Sequence, residues 1–283
     1  MNKYFSASTV LLLLCLFSTA QNQPTRLIVR GDDMGFSHSG NMALIKTYKE
    51  GIEQSIEVIV PSPWFPEAVK LLAANPGVDV GIHLAITSEW DNIKWRPVSV
   101  CPSLTNEEGY FYPKIWPDKS YPDGALIQHP WKLEDMEKEF RAQIELALKK
   151  IPRISHLSAH MGCSAISDEV KALVKKLARE YKIDIDLEDY AVKGIGYDGP
   201  HGSFAEKKKS FTNMLNALQP GQTYLFLDHP GLNNEELQAI HHIGYENVAE
   251  DRQGVTDLWT DNDIKALIRT KNIQLISYLD LKK

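Results

Sequence analysis

Seven short apolar runs, spaced by stretches of helical length, constrain the fold of this 283-residue chain more than any other feature. They cover residues 26–30, 56–60, 78–83, 154–157, 183–187, 223–227 and 273–279. Each has strand length and is rich in Ile, Leu and Val. Between them the pattern predicts helices over 39–50, 66–74, 131–150, 168–181, 206–218 and 261–270. Ser39 suits a cap, Gly51 lies just past a helix end, and Pro66 suits a first turn. Strands alternating with helices indicate an α/β fold with a parallel sheet. At this length the expectation is a closed or nearly closed, TIM-barrel-like barrel of about seven parallel strands, one fewer than the common eight, with a doubly wound open sheet as the alternative. The stretch 85–130, rich in Trp, Tyr, Pro and Gly, reads as a long functional loop.

Residues 1–20 have the pattern of a secretory signal: Lys3, an apolar core at 10–17, and the small-residue exit Ser18-Thr19-Ala20. That core is too short for a stable membrane span. The expectation is therefore a secreted, periplasmic protein with one domain over 21–283. No repeat or linker divides it. A formal net charge of -6 supplies no basic field, which argues against nucleic acid as a partner. Cys101 and Cys163 either pair in an oxidising compartment or stay as buried thiols. Oligomeric state is open, a homodimer included.

The ends of the predicted strands carry the chemistry. Leu27-Ile28-Val29-Arg30-Gly31 runs into Asp32-Asp33, and further ends carry His83, His160 and His229. Adjacent carboxylates repel, so an Asp pair reads either as a turn or as a cation site. Asp33, His83 and His160 form a candidate set of one carboxylate and two imidazoles, suited to a divalent ion with positions left open. Asp32 could serve as general base on a water beside that ion. His229, in Asp228-His229-Pro230, could protonate a leaving amine or be positioned by a carboxylate. His129, His201, His241 and His242 read as surface residues. Side chains alternate along a strand, so one aspartate is expected to face the metal and its neighbour the water.

The ordered series Asp32-Asp33-Met34-Gly35, Gly81-Ile82-His83-Leu84, His156-Leu157-Ser158-Ala159-His160, His229-Pro230, Arg252 and Ser277-Tyr278-Leu279-Asp280 resembles YdjC-like carbohydrate deacetylases. The resemblance runs over nearly all of 26–280. It implies an irregular (β/α) barrel, a divalent ion (Mg or Zn) and removal of an N-acetyl group from an amino sugar or oligosaccharide. It also implies Asp33, His83 and His160 as metal ligands, Asp32 as base, and His229 and Arg252 as further site residues. Ser158 stands where the family usually has aspartate, and Met161-Gly162-Cys163 replace a histidine-rich stretch. Trp90 and Trp95 in the long loop are candidates for sugar contact, with packing under the loop as the alternative. Two other functions stay open: a carbohydrate-binding protein with a degenerate site, and a metal-dependent hydrolase of another amide or ester.

Overall fold

The computed structural model describes residues 23–283. The expected signal segment lies outside them. Seven parallel strands form one curled sheet, a TIM-barrel-like half-barrel. Its strands are β1 (Thr25–Met34), β2 (Ser55–Val58), β3 (Asp79–Leu84), β4 (His156–Ala159), β5 (Lys193–Ile195), β6 (Thr223–Asp228) and β7 (Ile273–Ile276). The order is β4-β3-β2-β1-β6-β5. β1 is the hub: β6 pairs with it over 26–31, β7 with its first half and β2 with its second. The strands at the two ends of this path, β4 and β5, do not pair with each other among the described residues.

Around the sheet lie α1 (His38–Glu50), α2 (Phe65–Ala74), α3 (Leu133–Lys150), α4 (Asp168–Glu180), α5 (Phe204–Ala217), the short α6 (Glu235–Gln238), α7 (Val248–Thr260) and α8 (Asn262–Thr270). Capping explains several starts. Ser37 accepts from the Gly40 amide, Ser167 from Val170 and Ser203 from Glu206, each satisfying an otherwise orphan N–H. No helix among the described residues is long and apolar enough to cross a membrane.

The two faces of β1 show how the fold positions a site. Leu27 and Val29 point outward and pack with Phe211, Leu215, Leu258 and Trp259 of α5 and α7. Ile28 points inward, against Leu225, Ile276 and Tyr278. Each such fully buried aliphatic side chain contributes about 1.5–3 kcal/mol. Arg30 and Asp32 follow Ile28 at the same alternation. The barrel interior thus changes from apolar at the start of β1 to ionic at its end.

One expectation is corrected, and one helix is added to those expected. Residues 183–187 form no strand: Ile183 and Ile185 are buried, but into different clusters, and a 3₁₀ turn (Leu187–Tyr190) follows. Alternating apolar residues signalled burial, not a ladder, and the strand in this part of the chain is the three-residue β5. In addition α7 was not anticipated, because Gly254, Val255 and Thr256 weaken its helical signature. Cys101 and Cys163 are both buried and free, with burial pushing each thiol up to about 12.

Candidate metal centre and active site

The site begins with a bulge. Between Gly31, paired with Ile56, and Met34, paired with Val58, β1 uses one residue more than β2. Asp33 takes up the difference at φ 72, a left-handed conformation that Asp tolerates better than most residues. Such a residue costs about 1–3 kcal/mol unless its surroundings hold it there. The consequence is geometric. Instead of pointing to opposite faces, Asp32 and Asp33 both approach His83 Nε2, with Oδ2 of Asp32 at 3.8 Å and Oδ1 of Asp33 at 3.7 Å. Gly31 permits the crossing, since a Cβ there would overlap Leu44 and Glu53.

Asp33, His83 and His160 come from the ends of β1, β3 and β4 and are 2%, 3% and 4% exposed. Their donor atoms converge: His160 Nδ1 lies 3.2 Å from Asp33 Oδ1, and one donor from each of the three residues falls within 4.8 Å of the others. Asp33 Oδ1 is buried without a hydrogen-bond partner, whereas Oδ2 accepts from Arg252 Nη2 at 2.8 Å. An orphaned carboxylate oxygen facing two imidazole nitrogens fits a divalent cation, and these three residues could hold one. The outer nitrogens of both imidazoles are occupied. His83 Nδ1 lies 2.7 Å from Ser158 Oγ, and His160 Nε2 lies 3.1 Å from Glu89 Oε2. The remaining nitrogens, His83 Nε2 and His160 Nδ1, are the ones turned to Asp33.

The electrostatics of the two imidazoles differ. Burial, opposed by Asp32, lowers His83 to about 4 and keeps it neutral. Burial also opposes charge on His160, but Glu89 and Asp33 outweigh it and raise that group to about 10. Asp33 is held well below the usual carboxylate range: its burial is overcome by His229, His160 and Arg252.

Two flanking pairs complete the arrangement. Arg30 holds Asp32 with two bonds, Nε to Oδ1 at 2.7 Å and Nη2 to Oδ2 at 2.8 Å, and donates through Nη1 to the Tyr278 hydroxyl. Each Asp32 oxygen keeps a second lone pair. On the other side, His229 Nε2 lies 3.9 Å from Asp33 Oδ2, and its Nδ1 lies 3.5 Å from Asp228 Oδ1. Tyr197 donates to the other Asp228 oxygen at 2.7 Å. Burial opposes charge on His229, but Asp33 and the Asp228 hydrogen bond raise its pKa. About 35% of the His229 side chain is open, against 5% or less for Asp33, His83 and His160.

Arg252 reaches the site from α7. Its guanidinium lies over the rings of Phe36 at 4.6 Å and Trp90 at 5.2 Å, and its Nε and Nη1 have no hydrogen-bond partner. Trp90 and Trp95 are 2% and 3% exposed, so neither indole presents a face to solvent. Trp90 packs on Phe36 and under Arg252, while Trp95 receives a backbone bond from Phe111. The other aromatics of the long loop divide: Phe111 joins the core, Tyr112 packs against it, and Trp116 is exposed.

Sequence reasoning missed Glu57, Glu89 and the role of Arg30. Glu57 carried a readable signal, because an acid within a fully buried strand needs a charged or hydrogen-bonded partner. Glu89 had none, since it lies in a loop and meets His160 only in the folded chain.

A family model described as YdjC-like protein matches residues 26–270. The chain is 26% identical over 276 residues to carbohydrate deacetylase 2 of Listeria innocua, covering 91% of this chain and 99% of that protein. It is 30% identical to the carbohydrate deacetylase of Thermus thermophilus, covering 76% of this chain and 80% of that protein. Among solved structures, a putative cellobiose-phosphate cleavage protein from Enterococcus faecalis superposes with a TM-score of 0.71 at 21% identity, covering 91% of this chain and 99% of that one, which is a likeness of fold. With the match extending from the first strand into the last helix, this chain belongs to the YdjC-like family.

Proposed function

We propose that the protein is a metal-dependent hydrolase that removes an acetyl group from an N-acetylated amino sugar or oligosaccharide. The observation that carries the reading is the buried convergence of Asp33, His83 and His160 around an orphaned carboxylate oxygen. The names of the relatives supply the substrate class. A divalent ion there, magnesium or zinc, supplies Lewis-acid polarisation of the acetyl carbonyl and an acidified water.

The chain's own groups supply the rest. Asp32, aligned by Arg30, accepts the proton of the attacking water as its oxygen bonds to the acetyl carbon. The carbon–nitrogen bond then breaks, and His229 gives its proton to the departing amine. A raised pKa suits that role, because the imidazole keeps its proton near neutrality. Asp228 and Tyr197 hold the ring in place. Arg252, packed over Phe36 and Trp90, balances the charge of Asp33 and fixes its second oxygen. The signal pattern at 1–20 supports export to the periplasm, with Gln21 as the expected new N-terminus on sequencing of the exported protein.

The test is acetate release from a panel of N- and O-acetylated sugars, with and without added Mg²⁺ or Zn²⁺. Metal-dependent release from an N-acetylated sugar is expected. Sugar binding without release across the panel would favour a binding protein, and release only from O-acetylated compounds would favour an esterase.

A further inference from the structure

We propose that Glu57 is a positioning residue for the metal ligand His83, acting through the hydroxyl of Ser158. The inference rests on the metal-site reading above but not on the identity of the substrate. Ser158 Oγ donates to Glu57 Oε2 and lies 2.7 Å from His83 Nδ1. A hydroxyl has one proton. With that proton committed to the Glu57 carboxylate, the contact to His83 requires the imidazole to donate, Nδ1–H to Ser158 Oγ. The tautomer is thereby set: the hydrogen sits on Nδ1 and the lone pair on Nε2, the nitrogen that faces Asp33 at 3.7 Å. A metal-ligating histidine is commonly fixed by a carboxylate on its outer nitrogen. His160 has that partner directly in Glu89. His83 has it at one remove, because β4 offers a serine and the carboxylate comes from β2.

Glu57 is itself held. It is fully buried, and its Oε1 lies 2.5 Å from His156 Nε2. The His156 ring stacks on Tyr278 at 3.5 Å, and Tyr278 accepts from Arg30, the partner of Asp32. Between the two strands Gly81 leaves the necessary room: a Cβ there would stand 2.5 Å from His156 Nε2 and closer still to Glu57 Oε2. Glu57 therefore links the metal ligand His83 to the Arg30–Asp32 pair. Ser158, read from sequence as the loss of a carboxylate, is in the fold the bridge to one.

The experiment titrates metal-free protein with Zn²⁺ by calorimetry for wild type, Glu57→Gln, Ser158→Ala and the double variant Glu57→Ser/Ser158→Asp. The single variants should bind zinc about 10–100-fold more weakly. The double variant, which moves the carboxylate onto β4, should recover most of that loss. In parallel, the His83 Nδ1–H resonance of metal-free protein should be slowly exchanging in wild type and absent in Ser158→Ala. If Glu57→Gln fails to fold, Ser158→Ala still decides, because it leaves the Glu57–His156 pair in place. Folded single variants with wild-type zinc affinity would overturn the proposal. So would weakened singles that the relocated carboxylate does not rescue, or a wild type that takes up no zinc. Failure to release acetate from any sugar would count against the deacetylase reading alone.

Discussion

The two walls of the half-barrel differ in construction. The wall of β1, β2 and β3 is buried along nearly its whole length and carries Asp32, Asp33 and His83 at its edge, with His160 just past β4. The opposite wall has β6 and the three-residue β5, whose residues are mostly exposed, and it carries Asp228 and His229. Ion binding needs ligands that are dry and already oriented, because flexible or hydrated donors lose affinity. A proton donor needs the reverse, contact with solvent to be recharged and with the leaving group. Under the proposed function, the closed wall would hold the ion and the open wall would hold the acid.

The comparison breaks most severely at Asp33. Asp33→Asn keeps the shape and tolerates the left-handed backbone but removes the charge, and we expect it to abolish metal retention and turnover together, read by elemental analysis and acetate release. A variant carrying wild-type metal would remove Asp33 from the ligand set. Next in size, Asp32→Asn should keep its metal and lose turnover by about 10²–10⁴-fold, as expected for removal of a general base. Full activity in that variant would exclude Asp32 from proton transfer.

On the open wall, His229→Ala should lower turnover by about 10²-fold with metal affinity unchanged. The sign of the pH effect follows from its role. An acid must be protonated, so the rate falls as pH rises through its pKa, and a raised pKa places that fall above the ordinary histidine range. Asp228→Asn should move the alkaline limb down, because the hydrogen bond that favours the charged imidazole is weakened. An unmoved limb would assign it to another group.

The smallest effect, taken per unit of pH, sharpens the closed wall. The proton that Glu89 and Asp33 hold on His160, with its pKa near 10, must leave before Nδ1 can ligate. His83, near 4, is already neutral and contributes no such term at neutral pH. Zinc affinity should therefore strengthen about tenfold per pH unit between roughly pH 6 and 9, with about one proton released per ion. Calorimetry in buffers of different ionisation enthalpy measures that proton, and a pH-independent affinity would contradict it.

The sequence by itself determined the α/β architecture, six of the seven strands, and the residues Asp33, His83 and His160 at strand ends. Periodicity and strand-end position are local properties, written in consecutive residues. It also held Asp228 next to His229 and, through family resemblance, Arg252. What only the tertiary structure decided lies in pairings between distant strands and loops. The bulge that turns Asp33 beside Asp32 arises from the register of β1 against β2. Trp90 and Trp95 are buried because the long loop folds back on Phe36 and the core, which composition cannot distinguish from an open sugar platform. Glu89 meets His160 across 71 residues and Glu57 meets Ser158 across 101. A buried charge must find a partner, and the chain supplies it wherever the folded backbone brings one within reach, not where the sequence places a neighbour.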